Sequence, residues 1–325
     1  GSECKALEAA GDLGLTIDRN ALSLYFELGC FPAPLTVYQG VLKLCPGELL
    51  TFHPQSGKCS TEKYFSISEA VRETPPFQGD YTDAVDALRE LLSQSLAGRM
   101  IADVPLGAFL SGGIDSSLVV ALMQARASGK ISTFNVGFEE VGYDESEYAA
   151  KVASFLGTEH FSERLSFSKA LDLVPKAVRV FDEPLADPSA LPTLLLSEFT
   201  RRHVKVAVSG DGGDELFGGY PRYQWARAYA NRFEKLSPKV RASISKAIGV
   251  LPLGAYSAAQ TVLPGFLGRA NVTENADKLA RLLHALGPAD GFQVVHGKWT
   301  EPMVEGGTSP PYFHTLAEQL PSGVG

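Results

Sequence analysis

The chain of 325 residues has an ordinary globular composition, with 45% hydrophobic and 20% charged residues, and is long enough for two or three domains. Its formal net charge of −8 and its lack of a lysine and arginine cluster argue against nucleic acid or an anionic membrane surface as partners. No apolar run approaches the roughly 18 residues of a membrane span, and the first residues lack the pattern of a secretory signal. We therefore expect a cytoplasmic protein.

The first segment, residues 1–73, mixes short β-like runs with turn residues such as Pro46-Gly47 and Gly57. This texture predicts hairpins or the end of a β-rich domain. All four cysteines lie in this segment without a C-x-x-C pair, which indicates reduced structural thiols: Cys4, Cys30, Cys45 and Cys59. The six histidines are scattered along the chain and match no zinc-binding pattern. Residues 74–81, with a Pro-Pro pair, have the composition of a linker.

A helical period begins at Thr82, where Thr82-Asp83 is the expected N-cap pair. Apolar residues recur at helical spacing behind it: Val85, Leu88, Leu92 and Leu96. The apolar runs "VPLGAFL", "STFNVGF" and "VKVAVS" then alternate with the helix-like segments "SSLVVALMQARA", "ESEYAAKVASFLG" and "ALPTLLLSEFTRR". Such alternation predicts an α/β core over residues 82–229, with an open parallel sheet and helices on both faces. Residues 230–325 read as helical, as in "KVRASISKAIGVL" and "NADKLARLLHAL".

The stretch "SGGIDSS", residues 111–117, follows one predicted strand and leads into a helix that we expect to begin near Ser116. Gly112 and Gly113 allow the backbone to approach an anion closely. The helix N-terminus carries roughly half a positive charge, and Ser111, Ser116 and Ser117 supply hydroxyl donors. The stretch therefore predicts a phosphate site. The structural alternative is a glycine turn in which Ser116 only caps the helix.

The phosphate loop contains no lysine, so it does not match the Walker pattern. An acid inside an anion site, Asp115, indicates a divalent cation such as Mg²⁺, which is held through a few carboxylates plus phosphate oxygens and water. A second stretch, "SGDGGDE" at residues 209–215, repeats the arrangement after another strand and brings three carboxylates together. A cation would relieve their repulsion, whereas a solvated acidic turn is the alternative on this stretch alone.

Together with "YDESEYAAKVASFLGTEH", "DEPLADPSALPT" and "VAVSGDGGDELFGGYPRY", the loop "LSGGIDSS" resembles the synthetase domain of the glutamine-hydrolysing asparagine synthetase family. The resemblance runs from about Tyr81 to Tyr229, and the leading segment is similar to the last part of that family's glutaminase domain. The implied fold is of the adenine nucleotide alpha hydrolase-like, ATP pyrophosphatase type. The implied order is a glutaminase-type β remnant (1–73), a linker (74–81), the synthetase core (82–229) and a helical continuation (230–325).

The resemblance also implies a ligase mechanism with ATP, Mg²⁺ and aspartate. The aspartate side chain attacks the α-phosphorus, pyrophosphate leaves, and ammonia, supplied by glutamine in the full-length family, displaces AMP. The residues implied for ATP are Ser111, Gly112, Gly113, Asp115, Ser116, Ser117, Val136, Gly137, Ser209 and Gly210. Asp115 and Asp214 are the implied magnesium ligands, and Asp211 and Asp214 the implied catalytic acids. The segment "DEPLADPSALPT" stands where the family places its amino-acid pocket.

Two departures from the family pattern affect activity. The family's glutaminase nucleophile is a cysteine at the mature N-terminus, whereas this sequence begins Gly1-Ser2 and has Cys4 in "SECKAL". The family's catalytic lysine belongs to its C-terminal region, and no lysine here is assigned that role. Two alternatives stay open: another amidotransferase of the same fold, β-lactam-forming or sugar- or peptide-modifying, and a catalytically silent nucleotide-binding fragment. The sequence also leaves open a homodimer.

Overall fold

The computed structural model describes residues 3–138, 144–220, 223, 236–250 and 304. The chain divides into two compact units. One comprises residues 1–2, 6–75 and 220–325, and the other comprises residues 3–5 and 76–219. All the predicted site residues belong to the second unit.

Within the described residues, the helices and strands follow one another in this order: α1 (Cys4–Ala9), α2 (Arg19–Leu28), β1 (Glu48–His53), β2 (Lys58–Lys63), α3 (Ile67–Glu73), α4 (Tyr81–Arg99), β3 (Leu106–Phe109), α5 (Ile114–Arg126), β4 (Ser132–Phe138), α6 (Ser146–Leu156), β5 (Glu159–Leu165), α7 (Phe167–Asp172), α8 (Val174–Val180), α9 (Ala190–Thr200), β6 (Val206–Val208), α10 (Gly213–Phe217) and α11 (Pro238–Val250).

The first unit contains an antiparallel hairpin formed by β1 and β2, in which Glu48 pairs with Lys63 and His53 with Lys58. The hairpin is one that the turn residues predict. Helices α1, α2 and α3 were not predicted in this segment, for which the sequence indicates β structure. The ends of α2 nevertheless carry ordinary helix signals. The Asp18 carboxylate caps its first amides, and Gly29 ends it in the left-handed conformation with φ of 81°.

The second unit is built on a four-stranded sheet in the order β5-β4-β3-β6. All three strand pairs are parallel, so the predicted open parallel sheet is confirmed. Strands β3, β4 and β6 fall within the three apolar runs of the sequence. Strand β5 was not predicted, because its sequence "EHFSERL" has no continuous apolar run and it lies at the edge of the sheet.

Helices cover both faces of this sheet. Ala108 of β3 pairs with Thr133 of β4, so their side chains share one face, and Ala108 packs there in a core with residues of α4, α5 and α6. Phe134 follows Thr133 and therefore points to the other face. Its ring meets that of Phe199 of α9 edge to face, with centroids 6.1 Å apart.

Two helix starts differ from the sequence predictions. The expected N-cap pair Thr82-Asp83 is wrong, because Asp80 caps α4 by accepting hydrogen bonds from the amides of both residues. Asp83 accepts a bond from the Asp80 amide in return, which completes a capping box. Helix α5 begins at Ile114 rather than near Ser116, since the extended backbone of Gly113 serves as its N-cap.

Helix α11 confirms the helical prediction for "KVRASISKAIGVL", whereas "NADKLARLLHAL" and most of residues 230–325 lie outside the described residues. In the part of the chain that the structure describes, no helix combines the length and apolar character needed to cross a membrane.

Candidate active site

The first glycine loop is closed by its own serines. Ser116 is buried in the first turn of α5, and its Oγ lies 2.9 Å from Ser111 Oγ and accepts a bond of 3.2 Å from the Ser111 amide. Ser111 Oγ in turn accepts a bond from the Gly113 amide at 3.2 Å. Two of the three predicted phosphate-binding hydroxyls therefore also fix the shape of the loop.

Ser117 differs from the other two serines. Its Oγ is buried and has no hydrogen-bond partner among the described residues. A buried hydroxyl without a partner is costly, and such atoms in native proteins call for an explanation such as a bound ligand or water. Gly113 gives α5 no side-chain cap. The backbone amides at the N-terminus of this 13-residue helix therefore remain able to donate hydrogen bonds to an anion.

Gly112 is required where it stands. Its φ of +83° is a left-handed conformation, and a Cβ at this position would lie 2.7 Å from both the Ala149 nitrogen and the Tyr148 carbonyl carbon of α6. The first loop therefore rests directly on the backbone of the first turns of α6.

The second glycine loop lies against the first. Strands β3 and β6 are parallel neighbours, so the loops that follow them emerge at the same edge of the sheet. A Cβ on Gly210 would lie 2.7 Å from the Ser116 nitrogen, and one on Gly213 would lie 2.6 Å from the Asp115 carboxylate. The two stretches singled out in the sequence thus form one structure, in which Gly213 contacts Asp115.

The predicted acids occupy different settings around this contact. Asp115 lies beside Gly213, and Asp214 follows Gly213 in the chain with its carboxylate directed at Gly219. Asp211 is exposed and accepts a bond of 3.0 Å from Ser209 Oγ. The described residues contain no group of three or more His, Cys, Asp or Glu side chains arranged to hold a metal. Mg²⁺ bound together with nucleotide phosphates needs only one or two carboxylates, so Asp115 and Asp214 fit that kind of site.

Val136 and Gly137 lie at the carboxyl end of β4, next to β3. A side chain at Gly137 would collide with the Asp144 carboxylate and would come within 3.1 Å of Ser146. The absence of a side chain at Gly137 is therefore used by the protein's own packing. The contact of Val136 and Gly137 with a nucleoside stays a prediction from the family resemblance.

Asn135 is a buried polar residue beside the first loop that was not predicted from the sequence. Its Nδ2 donates a bond of 3.2 Å to the carbonyl of Leu110, the residue immediately before the first loop, and its Oδ1 is buried without a partner among the described residues. The sequence does contain an indication of a buried polar group, because Asn135 lies near the centre of the apolar run "STFNVGF".

Comparison with known proteins identifies the family of this chain. The asparagine synthase family matches residues 87–301, which include both glycine loops. The chain belongs to the asparagine synthase family. The glutamine-hydrolyzing asparagine synthetase 1 of Bacillus subtilis is 33% identical over 289 residues, which cover 87% of this chain and 44% of that protein.

Two further members of the asparagine synthase family extend the comparison. A relative in Methanocaldococcus jannaschii, named for the same enzyme, is 37% identical over 67% of this chain and 42% of its own length. One in Mycobacterium bovis is 36% identical over 73% of this chain and 36% of its own length. The chain thus spans less than half the length of these relatives.

Proposed function

We propose that this chain is the synthetase portion of an ATP-dependent, amide-forming ligase of the asparagine synthetase type. The observation that carries the proposal is the packing of the second glycine loop on the first, with Gly213 against Asp115 at the N-terminus of α5. That packing brings anion-binding amides and two acids to one edge of a parallel sheet, where ligands of open α/β sheets bind. Family membership supports the reaction class.

In this proposal the ATP phosphates lie on the first loop. They accept hydrogen bonds from the amides at the start of α5 and from the unpartnered hydroxyl of Ser117, while Ser111 and Ser116 keep the loop in its binding shape. The nucleoside lies against Val136-Gly137 and Ser209-Gly210. These residues follow or end strands β4 and β6, which flank β3 on its two sides.

Asp115 and Asp214 would hold Mg²⁺, which when bound would supply positive charge that stabilises the phosphates during the reaction. The side-chain carboxylate of aspartate forms a bond to the α-phosphorus as the bond to pyrophosphate breaks. Ammonia then attacks the acyl carbon, loses a proton and expels AMP. The chain's own contribution is electrostatic, because the fixed dipole of α5 faces the departing pyrophosphate. Asp211, which accepts a hydrogen bond from Ser209 Oγ, lies next to the proposed position of the adenylate.

The domain assignment follows the same proposal. Residues 82–229 form the synthetase core, preceded by the end of a glutaminase-type β domain (1–73) and a linker (74–81), and followed by a helical continuation (230–325). We place the enzyme in the cytoplasm. The four cysteines, all of them in the described part of the chain, form no disulfide, which is typical of a reducing compartment.

The decisive experiment is aspartate-dependent exchange of radiolabelled pyrophosphate into ATP, measured with the 325-residue polypeptide and Mg²⁺ in the absence of ammonia. Exchange that requires aspartate supports the proposal. Exchange driven instead by another carboxylic acid in a panel moves the protein to a β-lactam-forming or peptide-modifying branch. Mg·ATP binding without exchange for any acid identifies a nucleotide-binding fragment without ligase activity.

This polypeptide is expected to release no glutamate from glutamine and to make amide only from free ammonium. A cysteine nucleophile needs a base within hydrogen-bond reach. Cys4 is buried, and its nitrogen is a peptide amide that donates to the Asp182 carboxylate. Cys59 pairs with Phe52 in the hairpin while His53 pairs with Lys58, so the Cys59 and His53 side chains point to opposite faces. Burial, followed by the nearby Glu48, raises the pKa of Cys45.

A glutamate-release assay with and without Mg·ATP and aspartate checks this expectation, with Cys4→Ala as the control. Glutamate release that disappears in Cys4→Ala would contradict it. Release that is unchanged in the variant would point to a site other than Cys4.

A further inference from the structure

A group of three polar side chains joins the carboxyl ends of β4 and β5 to the start of α6. Asp144 accepts hydrogen bonds from the Ser146 amide at 2.9 Å and from Ser146 Oγ, and forms an ion pair of 2.9 Å with Arg164. Arg164 also donates to Ser146 Oγ at 3.4 Å. We call these three residues the Asp144 bracket.

The Asp144 bracket is anionic at its centre under neutral conditions. The hydrogen bonds from the Ser146 hydroxyl and amide hold the pKa of Asp144 below its ordinary value, and the Arg164 guanidinium lowers it further. Ser146 is buried, whereas the Arg164 side chain is 62% exposed and that of Asp144 only 23%. The arginine therefore contacts the carboxylate from the solvent side.

The bracket touches two segments that the proposed nucleotide site depends on. Arg164 is the register partner of Gly137 across β4 and β5, and the space beside Gly137 is filled by Asp144 and Ser146. Ser146 is the first residue of α6, and Gly112 of the phosphate loop rests on the backbone of Tyr148 and Ala149 in that helix. One carboxylate thus fixes the end of the nucleoside-side strand and the helix beneath the phosphate loop.

The local sequence makes Asp144 necessary for this arrangement. The N-cap of α6 is Glu145, whose side chain makes no capping hydrogen bond, so Asp144 provides the cap from one residue earlier. A helix cap alone stabilises the fold. A cap that is also ion-paired to β5 and packed on Gly137 fixes the position of the helix relative to the sheet.

We propose that Asp144 is a positioning residue for Mg·ATP, acting through Ser146 and Arg164 on Gly137 and Gly112. The inference rests on the proposed nucleotide site. Arg164→Gln removes the ion pair and Asp144→Asn removes the charge while keeping an acceptor for Ser146. Because both changes loosen the support under Gly112 and Gly137, each lowers Mg·ATP affinity.

The test is calorimetric titration of Mg·ATP into the 325-residue polypeptide and its variants. Asp144→Asn is expected to weaken binding about tenfold, which is typical for a residue that orients the ligand-contacting groups without contacting the ligand itself. Arg164→Gln is expected to weaken binding severalfold, and Arg164→Lys to restore most of that loss. Asp86→Asn is the matched control, since Asp86 is an exposed acid ion-paired with Arg89 at 2.6 Å on α4 and outside the bracket. Its affinity should equal that of the wild type.

Thermal unfolding without nucleotide separates positioning from stability. The exposed Arg164 side chain allows Arg164→Gln to fold, so a weaker affinity with an unchanged unfolding midpoint supports the positioning role. Wild-type affinity in both Asp144→Asn and Arg164→Gln would overturn it while leaving the proposed function intact. Failure of the wild-type polypeptide to bind Mg·ATP would overturn both.

Discussion

Asp115→Asn and Asp214→Asn are each expected to weaken Mg²⁺-dependent ATP binding by at least about tenfold, because each removes a charged oxygen ligand from a hard cation. The two acids come from loops that touch at Gly213, and they are the magnesium ligands of the proposed site. Asparagine is close to aspartate in size, so the substitutions remove charge with little change in packing. Calorimetry with Mg·ATP, repeated with ATP in the presence of EDTA, measures the metal-dependent part.

The control for this pair is Asp86→Asn. Asp86 is an exposed acid on α4 that forms an ion pair with Arg89, and its loss changes the net charge of the protein by the same amount. Because the chain carries a formal charge of −8, removal of an outlying acid should leave ATP affinity unchanged or slightly higher. Unchanged Mg·ATP affinity in both Asp115→Asn and Asp214→Asn would remove the two acids from the metal site.

Gly210→Ala is expected to abolish measurable ATP binding and to destabilise the second unit by about 1–3 kcal/mol, the usual cost of overpacking a close contact. The added methyl group would lie 2.7 Å from the Ser116 nitrogen and 3.0 Å from the Asp115 carbonyl carbon, both of them backbone atoms in the first turn of α5. A flexible side chain can move aside, but a helix backbone at the end of a sheet cannot do so without separating the loops. Titration with Mg·ATP and thermal unfolding measure the two effects.

Gly98→Ala is the matched control for Gly210→Ala. Gly98 lies in the last turn of α4, and a Cβ there meets nothing within 4 Å. Alanine is expected to raise stability by about 0.5–1 kcal/mol, since glycine is the poorer helix former, with no change in ATP affinity. Normal ATP binding by Gly210→Ala would show that the two loops can separate without loss of the site.

Apolar runs and polar turn residues in the sequence predicted the strands and loops whose formation depends mainly on nearby residues. The apolar runs "VPLGAFL", "STFNVGF" and "VKVAVS" became three neighbouring strands, and the polar stretches behind two of them became the contacting loops. Strand β5 was not predicted, because a strand at the edge of a sheet needs apolar side chains on only one of its faces. Its pairing with β4 depends on residues far away in the sequence.

The glycines show a second limit of sequence reasoning. In the sequence, Gly112, Gly210 and Gly213 indicate close approach of the backbone to an anion. In the structure, each also permits a close approach between two parts of the protein, to α6 or to the first turn of α5. A pattern of glycines predicts that another group packs closely against the backbone. Which group that is depends on tertiary packing. The Asp144 bracket was missed for the same reason, since Arg164 is distant from Asp144 in the chain.

The strand order has a consequence for how the proposed nucleotide site assembles. Strand β6, the last strand of this sheet within the described residues, lies beside β3, the first. Almost the whole sheet must be synthesised and collapsed before β6 can dock, and closing so long a loop is a slow, entropically costly step. A nascent or cleaved chain that ends before Val206 would contain the complete "SGGIDSS" loop and yet lack the surface that packs on it. In the proposed site, nucleotide binding therefore requires both loops, and we expect it to follow the docking of β6 on β3.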